Sequence, residues 1–245
     1  MKPAEIAHVS ACMRTLRSVR RFHQAEVTPD LIDFVLSHAI QAGSGKNRQP
    51  WRFIVIRDFG RRAKVAGWYR AAWEHLLMAR SGTGATDERQ ITAATTLAEH
   101  LDEAPVLIVA CFQPSPANPA DFFGGASIYP AIQNLLLAAR AVGLGATLTT
   151  IQAFDDPEHG AWTTGSGPGS ASSPCTELKH LLAIPEPVVP AAVIPLGYPR
   201  DPFTTTSRRS PVHAVAYAEA WGRVWREGSP DAEESPHADA RPFDP

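Results

Sequence analysis

Two clusters of arginine and hydroxyl residues stand far apart in the chain: Arg17, Ser18, Arg20 and Arg21 near its start, and Ser207, Arg208, Arg209 and Ser210 near its end. Guanidinium forks beside hydroxyls form charge-assisted, bidentate hydrogen bonds, a combination that suits one phosphate group held from two sides. Either cluster taken alone reads equally as a solvated basic turn. A third polar stretch, Ser44, Gly45, Lys46, Asn47, Arg48 and Gln49, runs through Pro50 into Trp51 and the apolar Phe53-Ile54-Val55-Ile56. A linker would account for the glycine but not for the tight join to a core strand. Amides and a hydroxyl on a loop scaffolded by a rigid strand suit a heterocycle with several carbonyl and ring-nitrogen acceptors. Together the three stretches point to a phosphorylated heterocyclic cofactor.

Other chemistries lack their signatures. The chain has no GxSxG, HExxH or GxxxxGK[ST], and no GxGxxG between a strand and a helix. Its nine histidines are scattered without metal-ligand spacing, and His38 or His180 reads as a structural or surface residue. Cys12, Cys111 and Cys175 are odd in number and widely separated, which supports neither a zinc site nor a disulfide framework.

The 245 residues, 44% hydrophobic and 20% charged, suffice for one substantial core. A formal net charge of −2 gives no reason to expect nucleic acid or an anionic membrane as partner. No long apolar region opens the chain, no apolar run reaches the length of a membrane span, and the expected location is the cytoplasm. Arginine outnumbers lysine nineteen to four. That bias is either a habit of composition or a use of the planar fork for phosphate and carboxylate.

The elements that position the polar clusters follow from periodicity. Ile6, Val9, Met13 and Leu16 recur at helical spacing, which predicts a helix over residues 4–16 that delivers Arg17 and its neighbours at its end. Thr28 as cap, Pro29 in the first turn, the face Ile32, Val35, Leu36 and Ala39, and Gly43 as stop predict the next helix. Residues 61–102 read as helical with an exposed interruption at 80–89. Val106–Phe112 is a continuous apolar run of strand length. The Ala/Leu-rich stretch up to Gly143 reads as a helix buried all round, and residues 146–150 as a strand. A helix over residues 176–184 and a strand in residues 188–198 complete an α+β domain. Its expected extent is residues 1–227, with an acidic, Pro-rich tail over 228–245. Asp155 to Thr176 is a Gly/Ser/Pro-rich insert, read either as a surface excursion or as a lid in which Phe154, His159 and Trp162 cover the site.

The stretches LRSVRRF, AGSGKNRQPWRFIVI, APVLIVACF, SIYPAIQNLLLAARAVGLGATLTT, LLAIPEPVVPAAVIPLGYP and RRSP, in this order over about residues 10–215, resemble the nitroreductase family of FMN-dependent oxidoreductases. The resemblance implies a dimeric fold with a central, mainly antiparallel sheet and helices on both sides. Each FMN would lie at the subunit interface of a homodimer. It implies NAD(P)H as hydride donor and a nitroaromatic, quinone or similar small molecule as acceptor. Arg17, Ser18 and Arg20 match the first flavin motif, serving the phosphate, with Arg20 also at the N1/O2 edge. Ser44, Asn47 and Gln49 match the loop that faces ribityl and ring. Leu148, Thr149 and Thr150 match the segment over the isoalloxazine, where a backbone N–H meets N5. Arg209, with Arg208, matches the late basic residue that closes on the phosphate. The chain departs from the pattern in having Gly43 before Ser44, where many relatives have proline, and in the long insert. Two other readings of the same fold are a flavin-storing protein with little turnover and a specialised branch: a dehalogenase, a flavin-cleaving oxygenase or a deazaflavin-dependent reductase.

Overall fold

At the centre lies β2, Val106–Phe112, buried at every position. A strand that is apolar throughout needs cover on both of its faces. In the computed structural model, which describes residues 3–80, 88–116, 124–150, 173–201, 203 and 209–225, β2 pairs antiparallel with β1 (Trp51–Ile56) and with β4 (Val189–Gly197). The two-residue β3 (Gly145–Ala146) adds to β4, giving the order β1-β2-β4-β3. Successive side chains of β2 alternate between two cores. Ile108 and Ala110 pack with Ile32 and Val35 of α2 (Pro29–Ala39) and Ile132 and Leu135 of α5 (Gly124–Ala141). Leu107, Val109 and Cys111 pack on the other side, with Val65 and Trp73 of α3 (Phe59–Arg80), Leu97 of α4 (Glu88–His100) and Leu178 of α6 (Pro174–Leu182). The expected α+β architecture, an antiparallel sheet covered on both sides, is the one observed. The N-terminal helix, α1, spans Pro3–Thr15.

Three local expectations are corrected. Thr28 occupies the N-cap position of α2 but makes no side-chain capping bond, and the helix ends at Ala39 with Ile40 as C-cap, short of Gly43. Pro29 does fill the first turn. α5 is buried along one face only: Ile128, Ala131, Ile132, Leu135 and Ala139 are inside, whereas Tyr129, Pro130, Gln133 and Ala141 are exposed. The many alanines expose little apolar area, so the sequence reads as more buried than one chain makes it.

Some of the arginine excess serves the fold. Arg62 of α3 donates to the carbonyls of Asp102 and Ala104 at 2.6 and 2.5 Å. Arg70 donates to those of Ala98 and Glu99 at 3.3 and 3.1 Å. The carbonyls at a helix C-terminus have no partner within the helix, and Arg70 supplies one for the end of α4. Burial lowers the Arg62 pKa, against the opposing pull of Asp102 and Asp58.

The chain divides into two compact units, Met1–Thr206 and Ser207–Pro245. Within the second, Val212–Ala214 forms a short 3-10 turn and Tyr217 bridges Val224 antiparallel. Glu219 and Arg223 form an ion pair at 3.1 Å across the bend, and Trp221 stands 89% exposed. The expected tail over 228–245 lies outside the described residues.

Candidate cofactor site

The first arginine cluster is held in place from both ends. Leu16 N–H donates to Cys12 O at 2.9 Å as α1 finishes. Arg140, in the last turn of α5, donates to Thr15 Oγ1 at 3.1 Å, and its guanidinium lies 4.1 Å above the Phe203 ring. The chain then runs along the open edge of β3: Ser18 bridges Ala146 in parallel and Val19 N–H donates to Ala146 O at 3.1 Å. This approach requires glycine at 145, where a Cβ would lie 2.7 Å from both Val19 methyl carbons. Beyond it the buried Phe22 bridges Pro199, and His23 N–H donates to Tyr198 O at 2.8 Å. Arg200 fixes the exit, donating from Nε to Phe22 O at 2.9 Å and pairing with Glu103 at 3.1 Å. Arg17 and Arg20 are half-buried in this segment and Ser18 is exposed.

Sequence reasoning missed Tyr69 of α3, which is 3% exposed. Burial pushes its phenol up to about 12, while the Arg20 guanidinium pulls in the opposite direction. The two residues are 49 positions apart, and no local pattern announces that the charge of one acts on the other.

The segment expected to face the ring follows β3 directly. Thr149 bridges Val193 and continues the antiparallel register of Gly145–Gly197 and Ala146–Leu196, so the expected strand runs on with a gap at Thr147 and Leu148. Thr149 N–H donates to Val193 O at 3.1 Å and is thereby committed to the sheet. Backbone donors for a ring nitrogen are left at Leu148 and Thr150, which bond to nothing else among the described residues. The Thr147 hydroxyl, on a residue only 4% exposed, likewise has no partner among the described residues. A buried hydroxyl without a partner costs stability unless a ligand or water supplies one. With the arginines alongside, these groups fit a polar, phosphorylated ring system.

Ser44, Asn47 and Gln49 are also brought together, around Ser44. Gln49 N–H donates to Ser44 Oγ at 2.9 Å, Asn47 N–H donates to Ser44 O at 2.9 Å, and Gln49 Nε2 donates to Asn47 Oδ1 at 3.1 Å. Lys46, Asn47 and Gln49 all have left-handed backbone, with φ of 54°, 52° and 49°. Non-glycine residues in that region cost about 1–3 kcal/mol each and collect at functional sites. The loop enters β1, however, at the edge of the sheet opposite β3. Three strand spacings, about 14 Å, separate the two edges. One chain therefore gathers Arg17, Ser18, Arg20, Leu148, Thr149 and Thr150 at one edge and Ser44, Asn47 and Gln49 at the other. Arg209 is exposed within the second unit. Arg208, and the insert residues Phe154, His159 and Trp162, lie outside the described residues.

A cavity of about 310 Å³ between α1, α2 and α5 is lined by His8, Cys12, Met13, His38, Gln41 and Asn134 among others, and by none of the expected flavin residues. Cys111 is buried and its thiol is pushed up to about 11 by burial and by Cys175, with Lys179 opposing, so it is a poor nucleophile. Among the described residues no group of three or more His, Cys, Asp or Glu side chains could hold a metal, and no helix is long and apolar enough to cross a membrane.

The model of the nitroreductase family matches residues 13–198. A provisionally named NADH dehydrogenase/NAD(P)H nitroreductase of Methanothermobacter thermautotrophicus is 30% identical over 194 residues, which cover 79% of this chain and 78% of the relative. Iodotyrosine deiodinase 1 of Homo sapiens is 26% identical over 205 residues, covering 81% of this chain and 64% of that protein. Among solved structures, the NADPH:FMN oxidoreductase of Vibrio harveyi in complex with NAD+ superposes with a TM-score of 0.60 at 16% identity, over 91% of this chain and 80% of that one, a likeness of fold alone. With the family model spanning most of its length and a relative at 30% identity along nearly four-fifths of it, the chain belongs to the nitroreductase family.

Proposed function

We propose that this protein is an FMN-dependent oxidoreductase that takes hydride from NAD(P)H and passes it to a small acceptor, a nitroaromatic or quinone, in a ping-pong cycle. The observation that carries the reading is the Ser18–Ala146 bridge, which sets the arginine cluster beside Leu148–Thr150 in a fold of this family. When bound, FMN supplies two-electron chemistry, and the protein's task is to bind, orient and tune it. Arg17 and Ser18 hold the phosphate. Arg20 places positive charge at the N1/O2 edge, where negative charge collects on reduction. Leu148, Thr149 and Thr150 lie against the ring, and the amides of Asn47 and Gln49 take its remaining polar edge with Ser44 holding the loop. No side-chain nucleophile is needed. Because the two residue groups sit at opposite edges of one sheet, each site draws its loop from the second chain of a homodimer. Cys12, Cys111 and Cys175 stand as thiols and not as disulfides, which suits a reducing compartment, and we place the protein in the cytoplasm.

The test starts from the purified protein. It is expected to be yellow, with FMN as the main species released to mass spectrometry and with its colour bleached by anaerobic NADH or NADPH. FAD as the main species, or a chain without flavin, refutes the cofactor assignment. Yellow protein unaffected by either nucleotide refutes the donor and favours storage or a deazaflavin donor. The similarity to iodotyrosine deiodinases supports reductive dehalogenation as a second reading. Recolouring the reduced protein with nitroaromatics, quinones and halotyrosines in parallel separates the two.

A further inference from the structure

From Phe34 to Arg57 the chain has no carboxylate, yet it carries Lys46, Arg48, Arg52 and Arg57. Arg57 is neutralised by Glu26 at 2.5 Å. Lys46 and Arg52 are exposed and have no carboxylate partner among the described residues. Arg52 is nonetheless fixed: its Nη1 donates to Gln49 O at 3.2 Å and to Trp51 O at 2.7 Å, which leaves Nη2 and Nε without partners among the described residues. Lys46 is fixed at the backbone by the left-handed turn closed on Ser44. Cations are usually dispersed or paired with carboxylates on a surface of near-neutral charge. Here an ammonium on the strained loop and a planar fork at the start of β1, the latter bonded back to Gln49 O, flank the amides assigned to the ring.

We propose that Lys46 and Arg52 form a subsite for the 2′-phosphate of NADPH, making NADPH the preferred hydride donor over NADH. This rests on the oxidoreductase reading above. A phosphate monoester carries nearly two negative charges, and a fork with a point charge beside it is the arrangement that holds such a group. NADH presents a hydroxyl at the same position and gains nothing from either cation. The nucleotide needs no fingerprint loop of its own, because the loop that presents the amides to the ring carries Lys46 and leads straight into Arg52 of β1.

The experiment compares the FMN-loaded parent with Lys46→Gln and with Lys46→Gln/Arg52→Gln. The parent is expected to show the higher kcat/KM with NADPH. That value should fall about tenfold in the single variant and further in the double one, with NADH within about twofold throughout, as expected for charge-assisted contacts to phosphate. Calorimetry with adenosine 2′,5′-bisphosphate supplies a readout independent of turnover: binding to the parent and its weakening in both variants support the subsite. Retained FMN in the variants shows that the loop is intact; should the double variant lose flavin, the single variant decides. A parent that prefers NADH, or variants that slow both nucleotides alike, overturns the proposal. If neither nucleotide reduces the flavin, the donor assignment itself fails, and calorimetry alone then decides the subsite: equal affinity for the bisphosphate in parent and variants overturns it.

Discussion

Arg17→Ala is expected to purify with most of its flavin lost and to bind added FMN about ten- to a hundredfold more weakly than the parent. A charge-assisted hydrogen bond to phosphate is worth about 1.5–3 kcal/mol, and each 1.4 kcal/mol is a factor of about ten in affinity. Arg17 is half-buried at the end of a helix held by Arg140, so water replaces its contact poorly. Titrating the apoprotein with FMN by fluorescence quenching measures the loss, and thermal unfolding of the apoprotein separates it from a folding defect. Arg17→Lys should fall between parent and alanine, because it keeps the charge but not the fork. Arg209→Ala extends the test to the second unit: a comparable loss would place that residue on the same phosphate. Flavin held as tightly in both alanine variants as in the parent would refute the phosphate assignment.

A still broader effect is expected from Gly145→Ala. The new methyl would lie 2.7 Å from both Val19 methyl carbons, a distance that real Cβ contacts do not show. Neither neighbour yields easily: Val19 is bonded to Ala146 through its backbone, and β3 is held by β4. Overpacking of this kind costs about 1–3 kcal/mol, and relief requires the segment carrying Arg17, Ser18 and Arg20 to move away from the sheet. Both thermal stability and FMN affinity should fall, the affinity by more than in Arg17→Ala because every contact of the segment shifts together. Adding Val19→Ala, which removes both methyl carbons but keeps the Val19 Cβ at 2.8 Å, should recover only part of each. Unfolding curves and FMN titrations of the three chains decide the matter. A Gly145→Ala protein indistinguishable from the parent would mean that the close approach is not what positions the arginines.

The elements were legible where a local pattern was sufficient to specify them. Val106–Phe112 emerged with its expected limits because a wholly apolar run of strand length bounded by Pro105 has few alternatives. Pro29 marked the start of α2, whereas Thr28 failed as a cap because its hydroxyl makes no bond to the turn it precedes. The polar groups of the site were legible as residue types, but their mutual placement was not. Nothing near Ser44 indicates that its loop lies three strands from Ser18, since that distance is set by sheet order. The pull of Arg20 on Tyr69, and Arg62 on carbonyls forty residues away, are equally long-range. The left-handed turn was only half legible: asparagine tolerates that backbone, while Lys46 and Gln49 adopt it because Ser44 closes the loop across them.

The placement of the two polar groups at opposite edges of one sheet has a genetic corollary. In the proposed dimer each site takes its arginines from one polypeptide and its loop from the other. A polypeptide defective only in Arg17 and one defective only in Gln49 would each form two spoiled sites when paired with itself. Co-expressed, they would also form mixed pairs, in which one site inherits both defects and the other inherits neither. Two inactive alleles would therefore restore up to half of the flavin content to each mixed dimer, whereas a protein that completes its site within one chain would show no such rescue.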